Sequence, residues 1–184
     1  AYSLKVLNHV AEADPGVAAL VAEEPGALPT HAQVPGALLA LVPAVVAGGN
    51  VAANGAGALC GIALASPSLA QRVAEEPGAL PALVAAVAAG GNPNSAGALG
   101  SIAHASPSLA QRVAEVPGAL PALVAAVAAG GHVAANSAIV LADIAGADPG
   151  LARRVVEVRS ALPVLVAAVA AGGNVSTNSA GALS

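Results

Sequence analysis

The apolar positions of this chain fall at helical spacing. Leu80, Leu83, Val84 and Val87 stand at i, i+3, i+4 and i+7, one stripe of an α-helix. The glycine pair Gly90-Gly91 behind them is a natural C-terminal stop. A second stripe, Ala96, Leu99, Ile102 and Ala103, predicts a further helix just downstream. Upstream, the segment from Ser66 to Glu75 reads as a short helix. Ser66 precedes a proline there, as do Asp14, Ser106 and Asp148 at related places. Serine or aspartate at an N-cap accepts an orphan backbone N–H, and the proline that follows has no N–H to lose. Short helices therefore start at Pro15, Pro67, Pro107 and Pro149. Asn54, Asn94, Asn136 and Asn178 lie near the start of the third pattern, where a capping role is expected.

The three patterns recur together. GALPALVAAVAAGG occurs from Gly78 to Gly91 and unchanged from Gly118 to Gly131, with variants from Gly36 to Gly49 and Ser160 to Gly173. Successive copies are offset by 42, 40 and 42 residues. SPSLAQRVAE stands from Ser66 to Glu75 and from Ser106 to Glu115, with relatives beginning at Asp14 and Asp148. NSAGALGSIA, from Asn94 to Ala103, returns near Asn54, Asn136 and Asn178. No such unit buries its stripe alone. Stacked neighbours do, which predicts a continuous core and an elongated superhelical rod.

With these blocks aligned, the chain resembles the armadillo repeat family. Its short first helix, the GALPALV opening of the second from Gly78 and Gly118, and AGALGSIA of the third from Ala96 follow that family's pattern. HEAT repeats have a two-helix unit without the GALP opening. The resemblance implies an all-α, right-handed α-solenoid of about four three-helix repeats with a period of 40–42 residues, running through 1–184 as one domain. The expected divisions are a partial repeat over 1–35, repeats near 36–77, 78–117 and 118–159, and a partial repeat over 160–184. Between 25 and 36 the P-G-A-L turn appears twice, at Pro25 and Pro35, which reads as a tolerated insertion. The chain begins and ends inside third-helix patterns without polar capping repeats, so a longer array, or ends covered by neighbours, is expected.

The family places its third helices on a concave face, and its peptide-binding members carry tryptophan and asparagine ladders there. The tryptophan-equivalent positions here are Gly57, Gly97, Ile139 and Gly181; the asparagine-equivalent positions are His9, Gly61, Ser101 and Asp143. Neither ladder exists, which argues against recognition of nuclear localisation signals. These eight residues form the expected concave interaction face. Its small side chains suit a closely packed partner better than an extended basic peptide.

Composition narrows the function. Hydrophobic residues make up 57% of the chain, yet Tyr2 is its sole aromatic, so the apolar mass is alanine, valine and leucine. Charged residues are 9%, against roughly 25% in an ordinary soluble domain. A mean hydropathy of +0.78 suggests a membrane protein. No stretch, however, reaches the ~20 unbroken apolar residues of a spanning helix. The run from Ala119 to Ala129 contains Pro121 and stops at Gly130-Gly131, so no membrane span is expected. The net charge of −4 includes only six lysines and arginines, which leaves no electrostatic footprint for nucleic acid. The segment from Ala1 to Glu12 lacks the basic and apolar regions of a signal peptide. One cysteine, Cys60, excludes an internal disulfide and leaves the compartment open, with the cytoplasm as default.

Chemistry is sparse. Gly55, Gly57 and Gly61 approach a dinucleotide fingerprint, but they lie in a helical pattern without the strand that motif needs. Cys60 aligns with Gly100 and Ala142 and has no histidine near it in sequence or register, which predicts a structural thiol. His9, His31, His104 and His132 occupy four different repeat positions, so no metal site is expected. Asp143 is the one acidic residue expected on the concave face, and Asn174 opens a glycosylation sequon. Arg72, Glu75, Glu76, Arg112, Glu115, Arg153, Arg154 and Glu157 lie in or just beyond first helices, whereas the second helices carry no charge. The expectation is a non-enzymatic, cofactor-free scaffold for protein partners. The alternative is a structural subunit that assembles with copies of itself.

Overall fold

The computed structural model describes residues 37–90 and 92–171. The expected insertion over 25–36, His9, His31, Gly181, Asn174 and Asn178 lie outside them. Ten helices follow one another among the described residues: α1 (Ala37–Val46), α2 (Gly49–Ala65), α3 (Pro67–Glu75), α4 (Ala79–Ala88), α5 (Pro93–Ala105), α6 (Pro107–Glu115), α7 (Ala119–Ala129), α8 (Gly131–Ala147), α9 (Pro149–Glu157) and α10 (Ala161–Ala171). They sort into three layers. First helices are α3, α6 and α9; second helices are α1, α4, α7 and α10; third helices are α2, α5 and α8. Together they form an α-solenoid of stacked three-helix repeats.

First helices start as their caps dictate. The Ser66 hydroxyl accepts the Leu69 N–H at 3.2 Å, and Ser106 accepts that of Leu109 at 3.3 Å. The Asp148 carboxylate takes two, from Gly150 at 2.7 Å and Leu151 at 3.3 Å. Leu69 and Val73 turn inward. Gln71 and Gln111, on the opposite side, donate to Glu75 and Glu115 one turn on, at 2.8 and 2.7 Å. Each first helix then turns sharply into a second. Gly78 and Gly118 sit at that corner with φ of 83° and 80°, a left-handed conformation that a side chain would strain.

Without aromatics the core depends on close backbone approach. Leu59, Leu83, Leu99, Ile102, Leu123, Leu141 and Ile144 are fully buried, with alanines filling the gaps between them. At about 1.5–3 kcal/mol for each large aliphatic side chain removed from water, this spine supplies most of the driving force. Gly55 shows how tight the packing is: a Cβ there would lie 3.0 Å from the Ala44 methyl and 3.2 Å from the Val45 nitrogen of α1. Its register mates, Ser95 and Ser137, are completely buried, and neither hydroxyl finds a hydrogen-bond partner.

Two sets of side chains tie successive repeats, and the asparagines depart from expectation. Asn94 Nδ2 donates across to the Ala53 carbonyl of α2 at 2.9 Å, and Asn136 Nδ2 to the Pro93 carbonyl of α5 at 2.8 Å. These asparagines were expected to cap helices. Asn92 instead caps α5, accepting the Asn94 N–H at 3.0 Å. Asn94 lies inside the first turn of α5 and Asn136 in the second turn of α8, so their amides are free to cross to the neighbouring helix. In the first-helix layer, Arg112 Nη2 donates to the Ala74 carbonyl at 2.9 Å and Arg154 Nη2 to the Ala114 carbonyl at 3.0 Å. Each arginine thus places positive charge on the C-terminal end of the preceding first helix, where the helix dipole favours it.

Candidate interaction groove

The third helices lie side by side, α2 against α5 and α5 against α8, and one face of this layer is open. A hollow of about 540 Å³ crosses it, lined by Cys60, Leu64, Gly97, Ser101, His104 and Ile139 among others. Leu64 is 75% exposed and Ile139 39%, so two aliphatic side chains face water across a floor of small residues.

Three of the expected face residues, Gly97, Ser101 and Ile139, line this hollow. Gly57 has a different duty. A Cβ on it would lie 3.2 Å from Asn94 Nδ2, so the absent side chain makes room for the asparagine that ties α5 to α2. Gly97 does the same one repeat later, with Asn136 Nδ2 3.4 Å from its notional Cβ. At both positions glycine leaves room for an inter-repeat amide to pass. Gly61 is half-buried one turn further along α2. Ser101 donates its hydroxyl proton to the Gly97 carbonyl at 3.0 Å, the preceding turn of its own helix.

Asp143 does not stand alone. Its Oδ1 lies 3.3 Å from His104 Nδ1, joining the last turn of α5 to α8 across 39 residues of sequence. Its Oδ2 is shielded from solvent and makes no hydrogen bond. His104 itself is 81% exposed at the edge of the hollow. Sequence reasoning set the histidines aside because they share no repeat position; the signal it missed is that His104 and Asp143 lie one turn and one repeat apart. Cys60 is half-buried, as expected of a structural thiol, but its sulfur is 3.7 Å from the Ser101 hydroxyl and shares the hollow with His104. Among the described residues, no group of three His, Cys, Asp or Glu side chains is placed to hold a metal ion.

Elsewhere, no single described helix is long and apolar enough to cross a membrane; α6 and α7, which pass on composition as a pair, meet at 92°.

The sequence matches no protein-family model, and no curated protein matches it. Solved structures do match. The designed armadillo repeat protein YIII(Dq)4CqI superposes with a TM-score of 0.72 at 28% identity over 80% of this chain. The chain spans 63% of that protein's length. Another designed armadillo repeat protein, YIII(Dq.V1)4CPAF in complex with the peptide (KR)4, gives a TM-score of 0.75 at 22% identity, covering 97% of this chain and 79% of its own. The stacked helical repeats superpose on those proteins, and the chain has an armadillo-type repeat fold.

Proposed function

We propose that this chain is a non-enzymatic scaffold that holds a segment of a protein partner across the open face of its third helices. The hollow between Leu64 and Ile139 carries this reading. Binding sites combine apolar walls with a few oriented polar groups, and here the walls are aliphatic while His104 and Asp143 provide the polar edge. The partner segment presents an aliphatic side chain to the hollow and lays its backbone against Gly97 and Ser101. Gly57 and Gly61 contribute by keeping the adjoining surface low. The structural neighbour bound to (KR)4 supports peptide binding by this fold. A strongly basic peptide suits this groove poorly, because Asp143 is its one carboxylate among the described residues and already faces His104. Repeat divisions near 36–77, 78–117 and 118–159 belong to the same reading, each repeat adding one strip to the face.

Display selection of random peptides on the full chain tests it, followed by anisotropy titration of the winning peptide. Enriched sequences are expected to carry leucine, isoleucine or valine at one fixed position. Leu64→Asp and Ile139→Asp should each weaken binding by about tenfold or more. Equal affinity for both variants and the unaltered chain would sink the groove.

A further inference from the structure

The hollow over the third helices has a shape that narrows what fills it. It follows α5 from Gly97 through Ser101 to Ala105, positions at i, i+4 and i+8 on one helix face. That stripe is about 12 Å long at the rise of an α-helix. α5 lies between its two neighbours, so Ile139 of α8 stands on one side of the stripe and Leu64 of α2 on the other. The hollow is thus a trough with two exposed aliphatic walls and a floor of glycine, serine and alanine. Over such a floor a second helix axis can approach to the ordinary packing distance of about 8–10 Å.

Hydrogen bonding decides between a helical and an extended partner. An extended segment brings unpaired N–H and C=O groups to any floor it covers, and each one buried without a partner is costly. This floor has little to give them. The Ser101 hydroxyl donates to the Gly97 carbonyl, the Asn136 amide donates to the Pro93 carbonyl, and His104 Nδ1 lies against Asp143 Oδ1. At the far end Ser66 accepts the Leu69 N–H. Gly61, beside the trough, has no side chain to offer. A helix makes no such demand, because its own N–H and C=O groups bond one another along its axis. It needs apolar contact, which Leu64 and Ile139 supply.

We propose that the partner segment is an α-helix lying in this trough along α5, with aliphatic side chains at i, i+3 or i+4, and i+7 turned toward Leu64, Ile139 and the floor. Such a partner presupposes the third-helix groove as the binding face.

Two display libraries panned on the full chain test it. In one, peptides of about 15 residues keep a helical frame rich in alanine, glutamate and lysine and vary only i, i+3, i+4 and i+7. In the other, proline at every third position holds peptides of the same length extended. The helical library is expected to enrich, and anisotropy titration should show its winners binding at least about tenfold more tightly than any from the proline library. Proline at the centre of a winning peptide should weaken it at least about tenfold, and Leu64→Asp or Ile139→Asp should do the same from the protein side. Winners from the proline library alone, weakened by Leu64→Asp, would overturn the helix and leave the groove standing. A central proline without effect would do likewise. No enrichment from either library, or winners indifferent to both aspartate variants, would remove groove and helix together.

Discussion

The first-helix and third-helix layers hold the same repeats together by different means. Between third helices the joint is a buried aliphatic spine, Leu59, Leu99 and Leu141, with an asparagine amide crossing over a glycine. Between first helices the joint is an arginine at the surface, reaching one carbonyl at the end of its neighbour. The leucine spine is dry and sensitive to any change of volume, although the amides that cross beside it are exposed; the arginine joint is part-buried and more tolerant. Stability therefore resides in one layer and alignment in the other.

Truncation of the spine should show the larger effect. Leu141→Ala is expected to cost about 2–5 kcal/mol by chemical denaturation, since Leu141 is completely buried and α8 cannot collapse onto the void. A cost under about 1 kcal/mol would mean that the layers share the load. The two kinds of tie come next. Asn136→Ala and Arg112→Ala each remove one bond to a backbone carbonyl, worth about 0.5–1.5 kcal/mol. The arginine should lie at the upper end, because its bond is part-buried and the asparagine's is open to replacement water; an asparagine effect exceeding it would overturn that order. Smallest, and opposite in sign, is Ser137→Ala. It removes a buried hydroxyl that has no partner, and should raise stability by up to about 1 kcal/mol in the same denaturation experiment.

Much of this architecture could be read in advance, because it depends on periodic features. The Ser-Pro and Asp-Pro starts, the leucine stripes and the glycine stops recur at fixed offsets, and each acts locally on its own helix. What escaped were interactions between helices of successive repeats. Asn94 has the composition and position of a cap, and only the nearness of Ala53, 41 residues earlier, turns it into a tie. Gly57 and Gly97 look like deleted ligand contacts until the amides above them are seen. His104 and Asp143 escaped for the same reason: they occupy different register positions, and their meeting depends on how far α8 is staggered against α5. Periodicity predicts what a residue does within its repeat and is silent about the stagger between repeats.

The arginine and asparagine ties between repeats read nothing but main chain. Arg112 and Arg154 grip alanine carbonyls, Asn94 and Asn136 grip those of an alanine and a proline, and each would hold any residue in those places equally well. A joint indifferent to its neighbour's side chains makes the repeats interchangeable. A gene that duplicates, deletes or shuffles one of them inherits a working joint without needing a second mutation to match. Length and order in such an array are then free to drift, and selection is left to act on the few exposed side chains that make one repeat different from the next.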